Sequence, residues 1–178
     1  MKIKELLRRA RIGEIKRKRV LNKTEEKALV RAGYMMRRGT QRPTLTPRGK
    51  KKIKVVLTGG VFDLLHLGHV NALEKAKKQS DLLVVAVAHD QTVKRVKGRP
   101  PLHTAKQRAA LLEKLRCVDA AIVGHPTNKK ITVRRVEPDV VVFGYDQRID
   151  MKLKAKIRRL KTRKKGKFFK TANIIAEA

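Results

Sequence analysis

The sequence predicts an α/β fold in which a doubly wound parallel sheet of about five strands carries helices on both faces. Three observations support this prediction. Short apolar runs recur along residues 53–178, stretches with helical periodicity separate them, and glycine-containing loops follow several of the runs. Alternating strands and helices of this length form parallel sheets whose two faces are both covered. Residues 1–52 lack the alternation and are predicted to be a small, basic, mainly helical extension.

The apolar runs are short enough to be buried strands of a parallel sheet. They lie at residues 55–57, 82–87, 120–123 and 140–143. After the first run, Val70, Leu73 and Ala76 share one face of a predicted helix. Further helices are predicted at residues 104–115, 127–136, 150–160 and 168–178. The segment before the last helix is short, which predicts that a fifth strand is reduced or missing.

The extension contains two predicted helices. Residues 1–19 form an amphipathic helix with a basic face, interrupted at Gly13. A second helix covers residues 24–30, is capped by Asn22 or Thr24, and ends near Gly33. Residues 34–39 and 44–49 then resemble the end of a winged-helix domain, with residues 45–49 as a wing strand. The alternative is a basic helical collar that packs on the rest of the chain or makes a dimer contact.

The net charge of +32 is concentrated in the two flanks of the chain. Residues 1–54 hold 20 Lys and Arg against 4 acids, and residues 151–178 hold 11 against 1. Such flanks attract polyanions such as nucleic acid, although a solvated surface in a thermophile is an alternative. No membrane span or signal peptide is evident, and a lone Cys117 excludes an internal disulfide. These features favour a cytoplasmic protein.

The stretch 54–77 has the parts of a phosphate site. An apolar run ends in a glycine pair, two histidines follow, and a helix begins at the second of them. Glycines let the backbone approach a ligand closely, and the N–H groups of a helix's first turn favour an anion. Imidazoles beside that turn can donate hydrogen bonds to phosphoryl oxygens. The residues concerned are Thr58, Gly59, Gly60, Asp63, His66, Gly68 and His69.

These residues closely resemble the HxGH signature of the cytidylyltransferase-type nucleotidyltransferases. The resemblance implies a Rossmann-like domain at residues 53–178 that joins a nucleotide to a phosphorylated acceptor and releases pyrophosphate. It also implies Mg²⁺ carried with the nucleoside triphosphate, and a homodimer. Many members have Thr where this chain has Val61, so no hydroxyl at that position takes part in the chemistry here.

The resemblance continues through the later loops. Residues 88–100 are similar to the family's loop after the second strand, and Gln107 with Arg108 matches its "QR" element. Gly144 and Asp146 match its "GxD" turn. Residues 169–175 resemble a C-terminal "KTSxII" element in which Ala172 replaces the serine.

Roles for single residues follow from the resemblance. His66 and His69 hold the reacting phosphates, and Lys94, Lys97 and Arg108 are candidates for the acceptor phosphate or the β- and γ-phosphates. Positions implied to bind the nucleotide are Thr58, Gly59, Gly60, Val61, Phe62, Asp63, Gly68, Gly144, Asp146, Lys170 and Thr171. For the histidine pair, a zinc site is the alternative, although no third ligand stands at a recognisable spacing. The cationic residues have the alternative of ordinary solvated or helix-end positions.

The loop sequences are most similar to the archaeal FAD synthases, which implies adenylyl transfer from ATP to FMN. The glycerol-3-phosphate cytidylyltransferases are second, and a nucleic-acid-binding protein on the same scaffold is the alternative of another class. Phe143 and Tyr145 are the nearest aromatic candidates for a flavin ring. No residue distinguishes adenine from cytosine.

Overall fold

The computed structural model describes residues 2–144 and 155–160. The chain divides into two units, Met1–Lys54 and Val55–Ala178. The assignment of an extension and a catalytic domain that meet at residue 52 stays a prediction. Among the described residues, every helix falls short of the length and apolarity that a membrane crossing requires.

The first unit contains three helices and a two-stranded antiparallel sheet. The helices are α1 (Ile3–Lys16), α2 (Lys23–Arg31) and α3 (Pro47–Lys50), and the strands are β1 (Met35–Met36) and β2 (Thr44–Leu45). Asn22 caps α2 in a capping box with Glu25, as the first of the two predicted caps. The elements share a buried apolar cluster of Leu6, Leu7, Ala10, Leu21, Leu29, Met35, Leu45 and Ile53.

Two predictions for this unit are wrong. Helix α1 continues through Gly13 to Lys16. The missing side chain at Gly13 instead admits the carbonyl of Lys18, which lies 2.9 Å from where a Cβ would be. Of the wing strand predicted at residues 45–49, only Leu45 lies in a strand. Thr46 caps a short helix that has Pro47 in its first turn. Proline is favoured at a helix start, where its missing N–H is not needed.

The second unit is a five-stranded parallel sheet flanked by helices, which confirms the doubly wound, Rossmann-like fold. The spatial order of the strands is β5-β4-β3-β6-β7. The strands are β3 (Val55–Gly60), β4 (Leu82–Val87), β5 (Ala120–Val123), β6 (Val140–Phe143) and β7 (Lys156–Arg159). The helices are α4 (Leu67–Lys77), α5 (Asp90–Lys97), α6 (Ala105–Leu112) and α7 (Lys129–Val136).

Two aspartates tie the beginnings of neighbouring strands together. The carboxylate of Asp139, just before β6, accepts the N–H of Val55 at 2.7 Å. Asp119, just before β5, accepts the N–H of Leu83 at 2.6 Å. Each hydrogen bond satisfies a backbone N–H at the amino-terminal end of a strand, on the side of the sheet opposite the loops that follow the strands. The apolar strand residues and the inner faces of the helices form a second core, which includes Val56, Leu73, Ala76, Leu83, Val85, Leu112 and Val142.

The prediction of a helix at residues 150–160 is wrong for residues 155–160, the part of this segment that the structure describes. Residues Lys156–Arg159 form β7, which pairs in parallel with β6, with Lys156 opposite Val140 and Arg159 opposite Phe143. All four residues of β7 are exposed, as an edge strand permits, so they carry no apolar pattern. The predicted helix at 168–178 and residues 150–154 lie outside the described part of the chain.

The order of the strands reverses beside β3. The chain runs from β3 outward to β4 and β5, and then returns to place β6 on the other side of β3. In open α/β sheets, ligands bind beyond the carboxyl ends of the strands at this reversal. The loop after β3 and Gly144, which directly follows β6, therefore stand at the expected ligand position.

Candidate active site

The loop between β3 and α4 is built around an aromatic side chain. Phe62 has a φ of 52°, a left-handed conformation that costs a residue other than glycine about 1 kcal/mol or more. Its buried ring covers Gly60, where a Cβ would lie 2.9 Å from the ring. The ring also lies 4.9 Å from that of His69, centroid to centroid. Glycine at position 60 thus admits Phe62, and Phe62 supports the second histidine.

The two histidines of the HxGH motif lie against each other. His66 is the N-cap of α4, and His69 belongs to the first turn of that helix. Their rings stack with centroids 3.8 Å apart and planes inclined by 23°. The Nδ1 atoms of both rings are buried and have no hydrogen-bond partner among the described residues. Buried polar atoms are normally satisfied, so this pair is suited to receive a polar ligand at the helix N-terminus.

Both imidazoles favour their neutral form in this structure. Burial lowers the pKa of His66 from its ordinary value. The pKa of His69 is lowered to about 4, first by burial and then by the neighbouring His66, while the backbone of Leu64 acts in the opposite direction. The charge of Lys97 adds a smaller lowering. An anion beside the stacked rings would raise the pKa of both imidazoles, because opposite charge favours the protonated form.

Asp63 organises the loop that follows α5. Its buried carboxylate accepts a hydrogen bond from Nη2 of Arg99 at 3.0 Å and from the backbone N–H of Leu102 at 2.8 Å. The loop begins after Gly98, which caps α5 in the left-handed conformation at φ 70°. Asp63 therefore holds residues 99–102 beside the histidine loop, and both carboxylate oxygens are engaged in doing so.

Arg108 connects the segments that surround the site. Its side chain is fully buried, and its Nε donates to the carbonyl of His103 at 2.8 Å. Nη1 donates to the carbonyl of Val61, and Nη2 donates to the carbonyl of Ala88 at 2.9 Å and to Asp90 at 2.5 Å. These bonds leave no exposed guanidinium surface for a substrate phosphate. We therefore reassign Arg108 from phosphate binding to holding these segments together.

Gln107, which precedes Arg108 in the "QR" element, also has a structural role. The side-chain oxygen of Gln107 accepts the backbone N–H of Thr104 at 3.0 Å, and the hydroxyl of Thr104 accepts the N–H of Gln107 at 3.3 Å. This capping box begins α6 and thereby sets the direction in which Arg108 enters the core.

The remaining predicted site residues differ in how they are used. Thr58 is buried in β3 and donates its hydroxyl to the carbonyl of Val142 at 2.9 Å, so its hydroxyl links two strands. Gly68 lies in the first turn of α4, between the two histidines. Lys94 and Lys97 are exposed on α5, and of the two it is Lys97 whose charge reaches His69. Gly144 follows β6 at the strand reversal, whereas Tyr145, Asp146, Lys170 and Thr171 lie outside the described residues.

The other histidines are structural or peripheral. His89 caps α5 by accepting the N–H of Gln91 at 3.2 Å, and His125 accepts the N–H of Asn128 at 3.1 Å near the start of α7. His103 is exposed. Within residues 2–144 and 155–160, no three side chains of His, Cys, Asp or Glu gather where they could hold a metal ion.

Sequence reasoning did not assign Arg99, the backbone N–H of Leu102, or Asp90 to the site. Each acts through a partner distant in the sequence: Asp63 for the first two and Arg108 for the third. The only local sign was that Arg99 stands in a loop rich in glycine and proline, which does not indicate a partner.

Comparison with known proteins agrees with this geometry. The cytidylyltransferase-like family model matches residues 57–175. An FAD synthase of Pyrococcus abyssi is 46% identical over 112 residues, which are 62% of this chain and 75% of the relative. An FAD synthase of Methanopyrus kandleri is 52% identical over 102 residues, which are 56% of this chain and 67% of the relative.

A solved structure is also similar to this chain. The crystal structure of a lipopolysaccharide core biosynthesis protein from Thermoplasma volcanium is 38% identical, with a TM-score of 0.59. The match covers 63% of this chain and 99% of that protein. From the family match and the identity to these relatives, the chain belongs to the cytidylyltransferase-like family and is a nucleotidyltransferase.

Proposed function

We propose that this chain transfers the adenylyl group of ATP to the phosphate of FMN, producing FAD and pyrophosphate. The observation that carries the proposal is the stacked pair of His66 and His69, whose buried Nδ1 atoms have no partner among the described residues. The choice of substrates is supported by the FAD synthases that are 46% and 52% identical to this chain.

The reaction requires little covalent chemistry from the protein. A phosphate oxygen of FMN attacks the α-phosphorus of ATP and forms the new P–O bond. The bond from the α-phosphorus to the bridging oxygen breaks, and its electron pair leaves with pyrophosphate. The attacking oxygen is already anionic, so no general base is needed. Catalysis then consists of positioning the two substrates and stabilising the charge that develops on the phosphoryl oxygens.

His66 and His69 supply that stabilisation in our proposal. At the first turn of α4 they add two imidazole donors to the partial positive charge of the helix N-terminus. The pKa of each ring is lowered in the free protein, and a neighbouring anion would raise it, so in the proposal the rings gain charge when the anion arrives. Lys97, whose charge already reaches His69, is placed in the proposal as a ligand of the β- or γ-phosphate.

Other residues complete the proposed site. Asp63 and Arg108 are positioning residues, because they act through the loops at residues 99–102 and 61 rather than on substrate. Gly68, between the two histidines, permits close approach of the phosphates, and Gly59 and Gly60 are retained as nucleotide-binding positions by family resemblance. Lys94, Gly144, Asp146, Lys170 and Thr171 are retained as ligands by family resemblance.

Magnesium belongs to the substrate in this proposal. The described carboxylates do not form a cluster that fits the ion, and Asp63, in the loop that carries the histidines, is engaged by Arg99 and Leu102. Mg²⁺ commonly keeps several waters and binds through substrate phosphates, so it would enter bound to ATP. When bound, it neutralises charge on the triphosphate. No step is assigned to it here.

The test is pyrophosphate release in the presence of Mg²⁺, with ATP and CTP each combined with FMN and with glycerol 3-phosphate. We expect turnover with ATP and FMN and with none of the other three substrate pairs. Turnover by CTP with glycerol 3-phosphate would replace the proposal with its alternative, a cytidylyltransferase acting on a phospho-alcohol. If no pyrophosphate is released with either acceptor, both assignments are overturned.

A matched pair of variants links any turnover to the site. His69→Asn keeps one donor but cannot carry the charge, and we expect kcat to fall about 100-fold or more. His103→Asn, at an exposed histidine, should retain full activity. Equal loss in both variants would contradict the assigned role.

We extend the proposal to a homodimer by family resemblance, which light scattering of the purified chain would test.

A further inference from the structure

Helix α2 of the first unit separates its charges onto two sides. Lys23, Lys27 and Arg31 recur at every fourth residue, so they form one row along the helix, and all three are exposed. The two acids of the helix, Glu25 and Glu26, lie on the inner side and are largely buried. The solvent side of α2 is therefore cationic throughout its length.

Arginines elsewhere in the unit neutralise these acids. The carboxylate of Glu25 accepts a hydrogen bond from the guanidinium of Arg9 at 2.5 Å, and that of Glu26 accepts one from Arg19 at 2.9 Å. The same holds for the other two acids of residues 1–54, since Glu5 pairs with Arg8 and Glu14 pairs with Arg11. Every acid of the unit is thus engaged by an arginine of the same unit, which leaves the unit's charge of +16 on other positions.

A second cationic segment lies in the hairpin between β1 and β2. The seven-residue connection, 37–43, exposes Arg37, Arg38 and Arg42 and turns at Gly39, which has a φ of 55°. The hairpin and α2 share one core through Leu29 of the helix and Met35 and Leu45 of the strands. Within the described residues, none of the three hairpin arginines or the three α2 cations forms an ion pair.

We propose that this unit binds duplex DNA through the row on α2 and the hairpin arginines. The match to the family begins at residue 57, so the catalytic fold does not account for these charges. A duplex carries closely spaced phosphates along two strands, which suits rows of long cationic side chains. An α-helix with its side chains is about 10 to 12 Å in diameter, and the major groove of B-form DNA is about 12 Å wide, so α2 fits the groove by its cross-section.

Three other anionic partners fit less well. Single-stranded nucleic acid is held by stacking on aromatic rings, and the only aromatic residue of 1–54 is Tyr34, which packs against the core with Arg48 over its ring. An anionic membrane calls for an apolar helix face, but the apolar face of α1 is buried in the unit's own core. Duplex RNA has a major groove too narrow for a helix.

The experiment measures binding of the full chain to a fluorescent duplex of about 20 base pairs across about 50 to 300 mM salt. Two variants each remove three charges: Lys23→Gln with Lys27→Gln and Arg31→Gln on α2, and Lys106→Gln with Lys114→Gln and Arg116→Gln in the second unit. The three control positions are exposed and lie outside the proposed catalytic site. Glutamine retains helix propensity, so folding should be preserved in both.

We expect the α2 variant to bind at least about tenfold more weakly and to flatten the salt dependence by about two to three in the log–log slope. The control variant should change neither, and both should release pyrophosphate as the parent chain does. Equal weakening by both variants would reduce the effect to overall charge and overturn the proposal. Absence of binding at low salt, or tighter binding to single strands, duplex RNA or anionic vesicles, would also overturn it.

Discussion

His66 and His69 stack their imidazole rings at 3.8 Å in a partly buried position, with neither Nδ1 atom bonded to a described residue. Two rings this close cannot both be protonated cheaply unless an anion lies beside them. Burial lowers the pKa of both rings and favours their neutral forms, and in the proposed function the pair gains charge when phosphate binds. Two predictions concern this change of charge.

The first prediction concerns stability. The pKa of His69 is about 4 in the folded chain and 6.5 in its ordinary environment, so between these values the unfolded chain binds more protons. Stability therefore rises as the pH increases from about 4 to about 6.5, and His69 contributes up to about 3 kcal/mol to the rise. Urea unfolding across this window should show a shallower rise for His69→Asn, while His103→Asn should follow the parent chain. Identical pH dependence in His69→Asn and the parent would show that His69 is not held neutral.

The second prediction concerns proton uptake. Binding of a triphosphate should raise the pKa of His69, so protons are taken up from solution between about pH 5 and 7. Calorimetry of binding in buffers with different ionisation enthalpies measures this uptake. A non-hydrolysable ATP analogue avoids turnover. We expect the uptake to be smaller in His69→Asn, and release of protons on binding would contradict the assigned geometry.

The third prediction distinguishes two roles for Arg108. As a buried link between the carbonyls of Val61, Ala88 and His103, it should be needed for stability. Arg108→Lys keeps the charge but cannot reach all of these acceptors, and we expect unfolding free energy to fall by about 2 to 4 kcal/mol. Denaturant unfolding measures the loss. Unchanged stability combined with a raised KM for one substrate would restore the phosphate-binding role that the sequence suggested.

The fourth prediction concerns the pair of Asp63 and Arg99. Asp63→Asn keeps an acceptor for the N–H of Leu102 but loses the charge that holds Arg99. Residues 99–102 should then open more readily, and the amide of Leu102 should exchange with solvent faster. A double-mutant cycle with Arg99→Gln should give a coupling energy of about 1 kcal/mol or more. Additive effects of the two substitutions would mean that the ion pair does not order the loop.

The sequence predicted those parts of the fold that depend on neighbouring residues. The run at 82–87 is apolar throughout, and it is β4, buried on both faces as such a run must be. Asn22 with Glu25 has the spacing of a capping box, and the helix begins there. The strand at β7 could not be predicted in this way. Its four residues are exposed, three of them are basic, and only pairing with β6 makes them a strand.

Most features of the candidate site required the folded chain. The spacing of His66 and His69 placed both at one helix start, but the stacking of their rings and the contact of Phe62 with His69 form only in the folded chain. Arg108 was a candidate phosphate ligand because Gln107 and Arg108 match the family's "QR" element. Its partners lie in segments 5 to 47 residues away along the chain, so no local pattern indicated them.

The sequence by itself determined the family, the position of the loop that contains the histidine pair, and the alternation of strands and helices, because each depends on residues close together along the chain. The tertiary structure decided the fifth strand, the burial of Arg108, the partner of Asp63 and the low pKa of His69. Each of these depends on groups that only folding brings into contact, and burial changes the energy of a charge or hydrogen bond far more than local sequence does.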